Sequence, residues 1–319
     1  MKKMILLALL GVTLPAAAVR AEARNCATGA AATDTAFHGG TRFSVQIQGP
    51  DGADVQDVIL IPGLSTPREV WAATAAAQRG CYRLHLVQIY GFGDAAGANA
   101  DGPVLDPFVR ELADYISDQI IGAGRAKPAI VGHSLGGLSA LMIAARYPDL
   151  PGKVMVVDAV PYIGTIFFPG ATVDVVRPRA ETFAASIRAE YRRPAPIDTG
   201  KDPGPQSQAG GLTNHPAGRI TVARWTMKSD PRVVAQALLD DMTTDMRPEL
   251  SKITTPVTLV YAQDDRAMTP AQATTAFVPQ YAGTAKLNAV QVTGSFHFIM
   301  LDQPEKFRAE MTKFLSGAN

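Results

Sequence analysis

A serine between two glycines is the strongest sign of chemistry in this sequence. Ser134 lies at the centre of the segment Gly-His-Ser-Leu-Gly at residues 132–136, after a short apolar run and before a helix-forming run. A serine on such a strand-to-helix turn exposes its hydroxyl, and the first N–H groups of the helix stabilise negative charge beside it. The pattern therefore predicts a nucleophile for acyl transfer.

A serine hydroxyl is a poor nucleophile without a base, and histidine is the commonest base. The chain contains His38, His85, His133, His215 and His297. Only His297 follows the last predicted strand, in a loop at the sheet edge where ligands bind in parallel sheets. We therefore expect His297 to be the base; the alternative is an ordinary solvated loop histidine.

A carboxylate should orient the imidazole and stabilise its protonated form. The predicted strand at residues 257–261 is followed by two adjacent candidates, Asp264 and Asp265. From the residues alone, either could take this role.

These residues require a scaffold of alternating strands and helices. Short apolar runs at residues 41–48, 58–61, 82–89, 129–131, 154–157, 257–261 and 289–292 predict strands, the first two forming an antiparallel start. Amphipathic runs between them, such as residues 104–121, predict helices. The expected fold class is α/β, with a mostly parallel central sheet flanked by helices.

One stretch interrupts this alternation. Residues 161–252 contain no clear strand, and residues 193–219 are rich in Pro, Gly, Gln and Asn. We interpret residues 161–252 as a mainly helical cap inserted over the sheet, with the core formed by residues 24–160 and 253–319.

Together these motifs resemble the α/β-hydrolase superfamily, over nearly the whole chain after its first segment, and most closely its lid-bearing serine esterase-like members. Their Gly-x-x-Asp signature after the strand is similar to residues 262–265, where Ala262 replaces the glycine. The resemblance therefore selects Asp265 over Asp264. Residues 296–304, Phe-His-Phe-Ile-Met-Leu-Asp-Gln-Pro, resemble the family's histidine loop.

The resemblance also implies an oxyanion hole and a reaction. The backbone N–H of Leu135 is one expected donor. That of Leu64, after Pro62-Gly63, is the other, unless this is a plain Pro-Gly turn. The implied activity is hydrolysis of carboxylic esters through an acyl-enzyme on Ser134, without a metal or cofactor.

The cap should shape the substrate site. Tyr162 and Trp225 within it, and Met268 near Asp265, are candidate substrate-binding residues and predict small to medium hydrophobic esters as substrates. A lactonase or an aminopeptidase of the same fold is the enzymatic alternative. A non-catalytic binding protein on a hydrolase scaffold is the alternative from a different class.

The first residues predict export. Lys2 and Lys3 precede an apolar run at residues 4–14 and a cluster of alanines, which is typical of a signal peptide ending at residue 23. The alternatives are an uncleaved anchor, although the run is too short to span a bilayer unaided, and a chance apolar start. The expected location is periplasmic or secreted.

The composition excludes some further classes of function. Thirty Lys and Arg against 29 Asp and Glu give a net charge of only +1, which is no electrostatic reason to expect nucleic-acid binding. Two cysteines are too few for a four-thiolate zinc site. In an oxidising compartment Cys26 and Cys81 could pair, or Cys81 could be a small buried residue.

Overall fold

The computed structural model describes Cys26, residues 36–194 and residues 196–317. The predicted signal peptide, residues 1–23, lies outside the described residues. The strands are β1 (Ala36–Gly39), β2 (Phe43–Gln48), β3 (Asp57–Ile61), β4 (Arg83–Ile89), β5 (Ala129–His133), β6 (Lys153–Val157), β7 (Val257–Gln263) and β8 (Leu287–Thr293).

The strands form one sheet in the order β1-β2-β4-β3-β5-β6-β7-β8. β1 pairs antiparallel with β2, and β2 pairs antiparallel with β4, while every later neighbour is parallel. The mostly parallel sheet agrees with the sequence prediction, but the predicted antiparallel pairing of the strands at residues 41–48 and 58–61 is not found. Instead, β2 pairs with β4 and not with β3, its neighbour in the chain.

The described residues also form helices, some packed on the two faces of this sheet and others in the cap. They are α1 (Ala72–Gln78), α2 (Leu105–Ile116), α3 (Leu135–Arg146), α4 (Gly164–Phe167), α5 (Val173–Ala189), α6 (Pro216–Lys228), α7 (Pro231–Thr243), α8 (Pro270–Phe277), α9 (Ile299–Asp302) and α10 (Pro304–Ser316). Alternate side chains of one central strand contribute to two separate cores. Ile59 and Ile61 of β3 pack on one face, and Val58 and Leu60 pack on the other. A strand buried on both faces needs a continuous apolar run, as β3 has.

Four helices, α4 to α7, lie within the predicted cap at residues 161–252, and no described residue there belongs to a named strand. The α5 and α7 helices pack together, and Tyr162, Val176, Ala180 and Met242 form a small apolar core of their own. The exact cap boundaries stay a prediction.

A disulfide joins Cys26 to Cys81, which are 55 residues apart in the chain. A bond that closes a loop of this length restricts the unfolded chain and stabilises the fold by up to about 4 kcal/mol in the chain-entropy model.

We expect a reductant to lower the free energy of unfolding by up to this amount, measured by denaturant titration. The double variant Cys26→Ser, Cys81→Ser is the control, because its unfolding should not respond to the reductant. An equal response in both proteins would contradict the prediction.

Candidate active site

Ser134 lies on a strained turn between β5 and α3. Its backbone angles are φ 55° and ψ −123°, a conformation that L-residues rarely adopt. The flanking glycines allow this turn, because a Cβ atom on Gly132 would lie 2.0 Å from the carbonyl oxygen of Gly136. The geometry presents Ser134 at the carboxyl edge of the sheet, at the first turn of α3, as the motif predicts.

The acidic partner of His297 comes from the neighbouring strand, β6. The Ser134 N–H donates to the Val157 carbonyl oxygen at 2.9 Å, which fixes the ends of β5 and β6 side by side. Asp158 follows at once, with φ 47°, and its side chain is 8% exposed. Its Oδ2 lies 2.7 Å from His297 Nδ1, and its Oδ1 accepts the Ala262 N–H at 2.7 Å. Asp158 is therefore held from two sides, with one oxygen aimed at the imidazole.

This arrangement leaves the other ring nitrogen of His297, Nε2, for a substrate or nucleophile. Within the described residues, no hydrogen bond joins the Ser134 hydroxyl to His297; such contacts are often loose before substrate binds. His297 nevertheless lies against the residue that precedes Ser134. The rings of His133 and His297 are 4.5 Å apart, and His133 Nε2 lies 3.1 Å from the His297 carbonyl oxygen.

His133 supports the histidine loop and does not serve as a base. A carbonyl oxygen only accepts hydrogen bonds, so His133 Nε2 carries the proton in that contact. Burial lowers the pKa of His133 well below its usual value, and the nearby His297 lowers it further. His133 therefore stays neutral and fixes the backbone of His297.

The prediction that Asp265 orients His297 is wrong for this structure. Asp265 is exposed, and its Oδ1 accepts from the Gln263 side-chain amide at 2.8 Å. Asp264 is no substitute, because its Oδ2 accepts from Arg266 Nη2 at 2.6 Å. That ion pair lowers the pKa of Asp264 to about 2. Asp265 and Asp264 are thus bound by Gln263 and Arg266 of the same turn. The carboxylate that orients His297 follows β6 instead.

The segment expected to supply one oxyanion donor does lie beside the nucleophile. A Cβ atom on Gly63 would be 3.0 Å from the Cβ of Ser134 and 2.9 Å from His133 Nδ1. Leu64 follows this close contact directly and is half-buried, while Leu135 begins α3. Placement of both residues next to Ser134 is compatible with their roles as donors, which stay a prediction.

The cap is hydrogen-bonded to the loop that carries His297. Asp302 accepts from the backbone N–H groups of Phe296 at 2.9 Å and Asn214 at 3.1 Å, and from the Thr213 hydroxyl. The Asn214 side-chain amide donates to the Gly294 carbonyl oxygen at 2.9 Å. These bonds attach residues 213–214 of the cap to Asp302 in the histidine loop and to Gly294 just before it. The bonds made by Thr213 and Asn214 could not be predicted from the sequence, because each joins residues 80 or more positions apart.

The three candidate substrate-binding residues differ in exposure. Trp225 is partly buried, and its ring centroid lies 5.9 Å from that of Phe298. Met268 is also partly buried and packs against the main core. Tyr162 is fully buried, so it can contact a substrate only if the cap moves. The substrate contacts themselves stay a prediction.

Metal sites and membrane-spanning helices are both absent from the described residues. No cluster of three or more His, Cys, Asp or Glu there has the arrangement of a metal site. In the same part of the chain, no helix has both the length and the apolar character to cross a membrane.

Comparison with known proteins identifies the family. Residues 58–310 match the model of the alpha/beta hydrolase family. The chain belongs to this family. The hydrolase is 25% identical over 215 residues to the pimeloyl-[acyl-carrier protein] methyl ester esterase of Vibrio cholerae, covering 66% of this chain and 76% of that protein.

Solved structures agree with this fold. An enol-lactonase from Burkholderia xenovorans matches with a TM-score of 0.65 and 19% identity, covering 88% of the hydrolase and all of that chain. A thermophilic esterase from Thermogutta terrifontis matches with a TM-score of 0.65 and 18% identity, covering 86% and 94% of the two chains. The predicted fold class and family are thus confirmed.

Proposed function

We propose that this hydrolase is a serine esterase that cleaves carboxylic esters of small to medium hydrophobic substrates. The observation that carries the proposal is the combination of Ser134 on its strained turn with the His297–Asp158 pair beside it. Nucleophile, base and orienting carboxylate then come from the ends of β5, β8 and β6. The same combination of nucleophile, base and orienting carboxylate catalyses acyl transfer on unrelated folds.

The mechanism uses only groups of this chain and water. His297 Nε2 takes the proton of the Ser134 hydroxyl as Oγ attacks the ester carbonyl carbon. The N–H groups of Leu64 and Leu135 stabilise the resulting oxyanion. His297 gives the proton to the departing alcohol, which leaves an acyl-enzyme. A water molecule, deprotonated by His297, then releases the acid and restores Ser134.

Asp158 has two roles in this cycle. Its bond to Nδ1 keeps the proton on that nitrogen, so Nε2 is free to accept the proton from Ser134. Its charge also stabilises the imidazolium that forms in each half-reaction. The bond from Ala262 N–H to Oδ1 holds the carboxylate in position during both steps.

A hydrolysis screen of the purified protein tests the proposal. p-Nitrophenyl esters from acetate to octanoate, simple lactones and aminoacyl amides form the panel. We expect turnover of short and medium esters, together with labelling of the protein by a fluorophosphonate probe. Labelling with amides as the preferred substrates would favour a peptidase. Absence of both turnover and labelling would favour a non-catalytic binding protein.

The size preference is assigned to Trp225 of α6. Its ring contacts Phe298, whose ring lies 5.5 Å from that of His297. We expect Trp225→Ala to leave more space beside Phe298 and His297. It should shift the preferred p-nitrophenyl ester to longer chains, with less effect on the acetate ester, measured as kcat/KM along the series.

Tyr191→Ala provides the matched control for this prediction. Tyr191 also belongs to the cap but is 51% exposed at its surface. Its replacement should leave the chain-length profile unchanged. An identical profile for wild type and Trp225→Ala would show that this face of the cap does not set specificity.

Export is also a proposal. The Cys26–Cys81 disulfide and the signal-like first residues both favour an oxidising compartment. Expression of the full chain in a bacterial host, followed by fractionation and N-terminal sequencing, tests it. We expect an extracytoplasmic protein that begins near residue 24. An intact N-terminus in the cytoplasmic fraction would contradict export.

A further inference from the structure

Asp241 in the last turn of α7 is an acidic residue in an unusual environment. It is only 6% exposed, although charged side chains are rarely buried without a partner. Within the described residues, no group donates a hydrogen bond to its side chain. The mechanism above does not use it.

Three other aspartates on or beside α7 all have such partners. Asp230 binds Arg232 Nη2 at 2.7 Å, and Asp245 binds Arg247 Nη2 at 2.6 Å. Asp240, the immediate neighbour, accepts the N–H groups of Val104 and Leu105 at 2.7 and 3.0 Å. Asp241 therefore differs from the acids around it in lacking a donor, although it is more deeply buried than they are.

Asp241 lies on the side of α7 that faces the core. Val233, Ala237 and Asp241 are spaced four residues apart, and all three are buried. Val233 contacts the backbone of Gly91, at the carboxyl end of β4: a Cβ atom on that glycine would lie 2.6 Å from Val233 Cγ2. This stripe thus runs along the edge of the sheet where the proposed catalytic residues lie.

The path of the chain after α7 places Asp241 on the side of the sheet edge that carries Asp158 and His297. Just after α7 the chain returns to the segment that follows Asp158, because Met246 N–H donates to the Pro161 carbonyl oxygen at 2.9 Å. The charge of the His297 imidazole also lowers the pKa of the Asp241 carboxyl, whereas the charge of Asp240 raises it, which agrees with this placement. A buried carboxyl near the proposed base, with no donor of its own, is complementary to a group that arrives with the substrate.

We propose that Asp241 is a specificity-determining residue that binds a hydrogen-bond donor, a hydroxyl or an ammonium group, on the ester substrate. This inference rests on the proposed esterase function and narrows its substrate class. The preferred ester is then mainly apolar but carries one donor that reaches the carboxyl beneath the cap. Such a donor would replace the water that a buried carboxylate loses.

The protonation state of the Asp241 carboxyl agrees with a role in binding a hydrogen-bond donor. Burial raises the pKa of Asp241 to about 7, while the proximity of His297 acts in the opposite direction. Without a partner, the group is therefore divided between its two forms near neutral pH. A bound donor favours the ionised form, because a carboxylate accepts a stronger hydrogen bond than a neutral acid does.

Matched esters and two neighbouring variants test the proposal. In the acyl series, p-nitrophenyl isovalerate is compared with its 3-hydroxybutyrate and 3-aminobutyrate analogues, in which a hydroxyl or an ammonium replaces one methyl group. In the alcohol series, isobutyl butyrate is compared with 2-hydroxypropyl and 2-aminopropyl butyrate. The measured quantity is the ratio of kcat/KM for each donor ester to that for its methyl analogue.

We expect wild-type enzyme to favour at least one donor ester about 10- to 100-fold, the effect of a hydrogen bond to a charged group. Asp241→Asn should bring this ratio close to one. Asp240→Asn is the matched control and should keep the wild-type ratio, because its carboxyl binds the start of α2. The hydroxyl and ammonium arms identify which donor the site takes.

Two results would overturn the inference. One is hydrolysis of the methyl analogues with no preference for any donor ester. The other is a donor preference that survives in Asp241→Asn. Failure of the proposed function would look different, since no ester of either series would then be hydrolysed and no fluorophosphonate would react.

Discussion

Ser134→Ala should lower kcat/KM for p-nitrophenyl butyrate by about 10⁴- to 10⁶-fold, the usual cost of losing the nucleophile of a serine hydrolase. The hydroxyl forms the acyl-enzyme, and no neighbouring side chain can replace it. Alanine also lacks the preference of glycine for positive φ, so the turn at φ 55° stays as strained as it is with serine. Steady-state kinetics and the free energy of unfolding should be measured on the same preparation.

Ser139→Ala is the matched control for the nucleophile. Ser139 lies five residues further on, in α3, and its hydroxyl donates to the Leu135 carbonyl oxygen at 2.8 Å. This variant loses a buried hydrogen bond close to the site but no catalytic group, so most activity should remain. Retention of more than a tenth of wild-type activity by Ser134→Ala would exclude the mechanism.

Asp158→Asn should have the second largest effect, a loss of about 10³- to 10⁴-fold in kcat/KM. An asparagine can keep the positive φ of this position and the bond from Ala262 N–H to its side-chain oxygen. If its amide nitrogen then faces His297, it donates where the carboxylate accepted. The imidazole would carry its proton on the wrong nitrogen, and the charge that stabilises the imidazolium would be lost.

The comparison with Asp265→Asn makes this prediction specific. Asp265 is exposed and contacts Gln263, so its replacement should change kcat/KM by less than about threefold. A large loss for Asp265→Asn with a small one for Asp158→Asn would support Asp265, the residue that the family resemblance selects. Equal, small losses would show that neither carboxylate orients His297.

The positions of Ser134 and His297 could be predicted because each depends on local sequence. The turn at Ser134 needs a glycine on each side, so five consecutive residues are enough to recognise it. The histidine loop follows the last strand directly, so strand order alone brings it to the carboxyl edge. The sheet itself was predictable for a similar reason, since its buried strands are short apolar runs.

The acidic residue could not be predicted in this way. Asp158 and Asp265 both follow parallel strands that neighbour each other in the sheet, so both could lie near His297. The outcome depends on non-local bonds: Ala262 N–H holds Asp158 inward, while Gln263 binds the side chain of Asp265. The one sequence signal for Asp158 was its place directly after the apolar run at residues 154–157.

Pairing at the first edge of the sheet was missed for a similar reason. β1 (Ala36–Gly39) lacks an apolar run, and β2 lies next to β4 although β3 follows it in the chain. Register between such strands is fixed by tertiary packing.

The start of α6 in the cap also differs from what composition indicates. The helix begins at Pro216, within residues 193–219, whose Pro, Gly, Gln and Asn content is typical of a loop. Proline is nevertheless favoured in the first turn of a helix.

Fluorophosphonate labelling followed by peptide mass spectrometry tests the proposed mechanism most directly, because it needs no knowledge of the natural substrate. The prediction is a single adduct on Ser134, absent in Ser134→Ala, formed much more slowly in Asp158→Asn and at the wild-type rate in Asp265→Asn. An unlabelled Ser134 in folded wild-type protein, or an adduct that forms as fast in Asp158→Asn as in wild type, would contradict it.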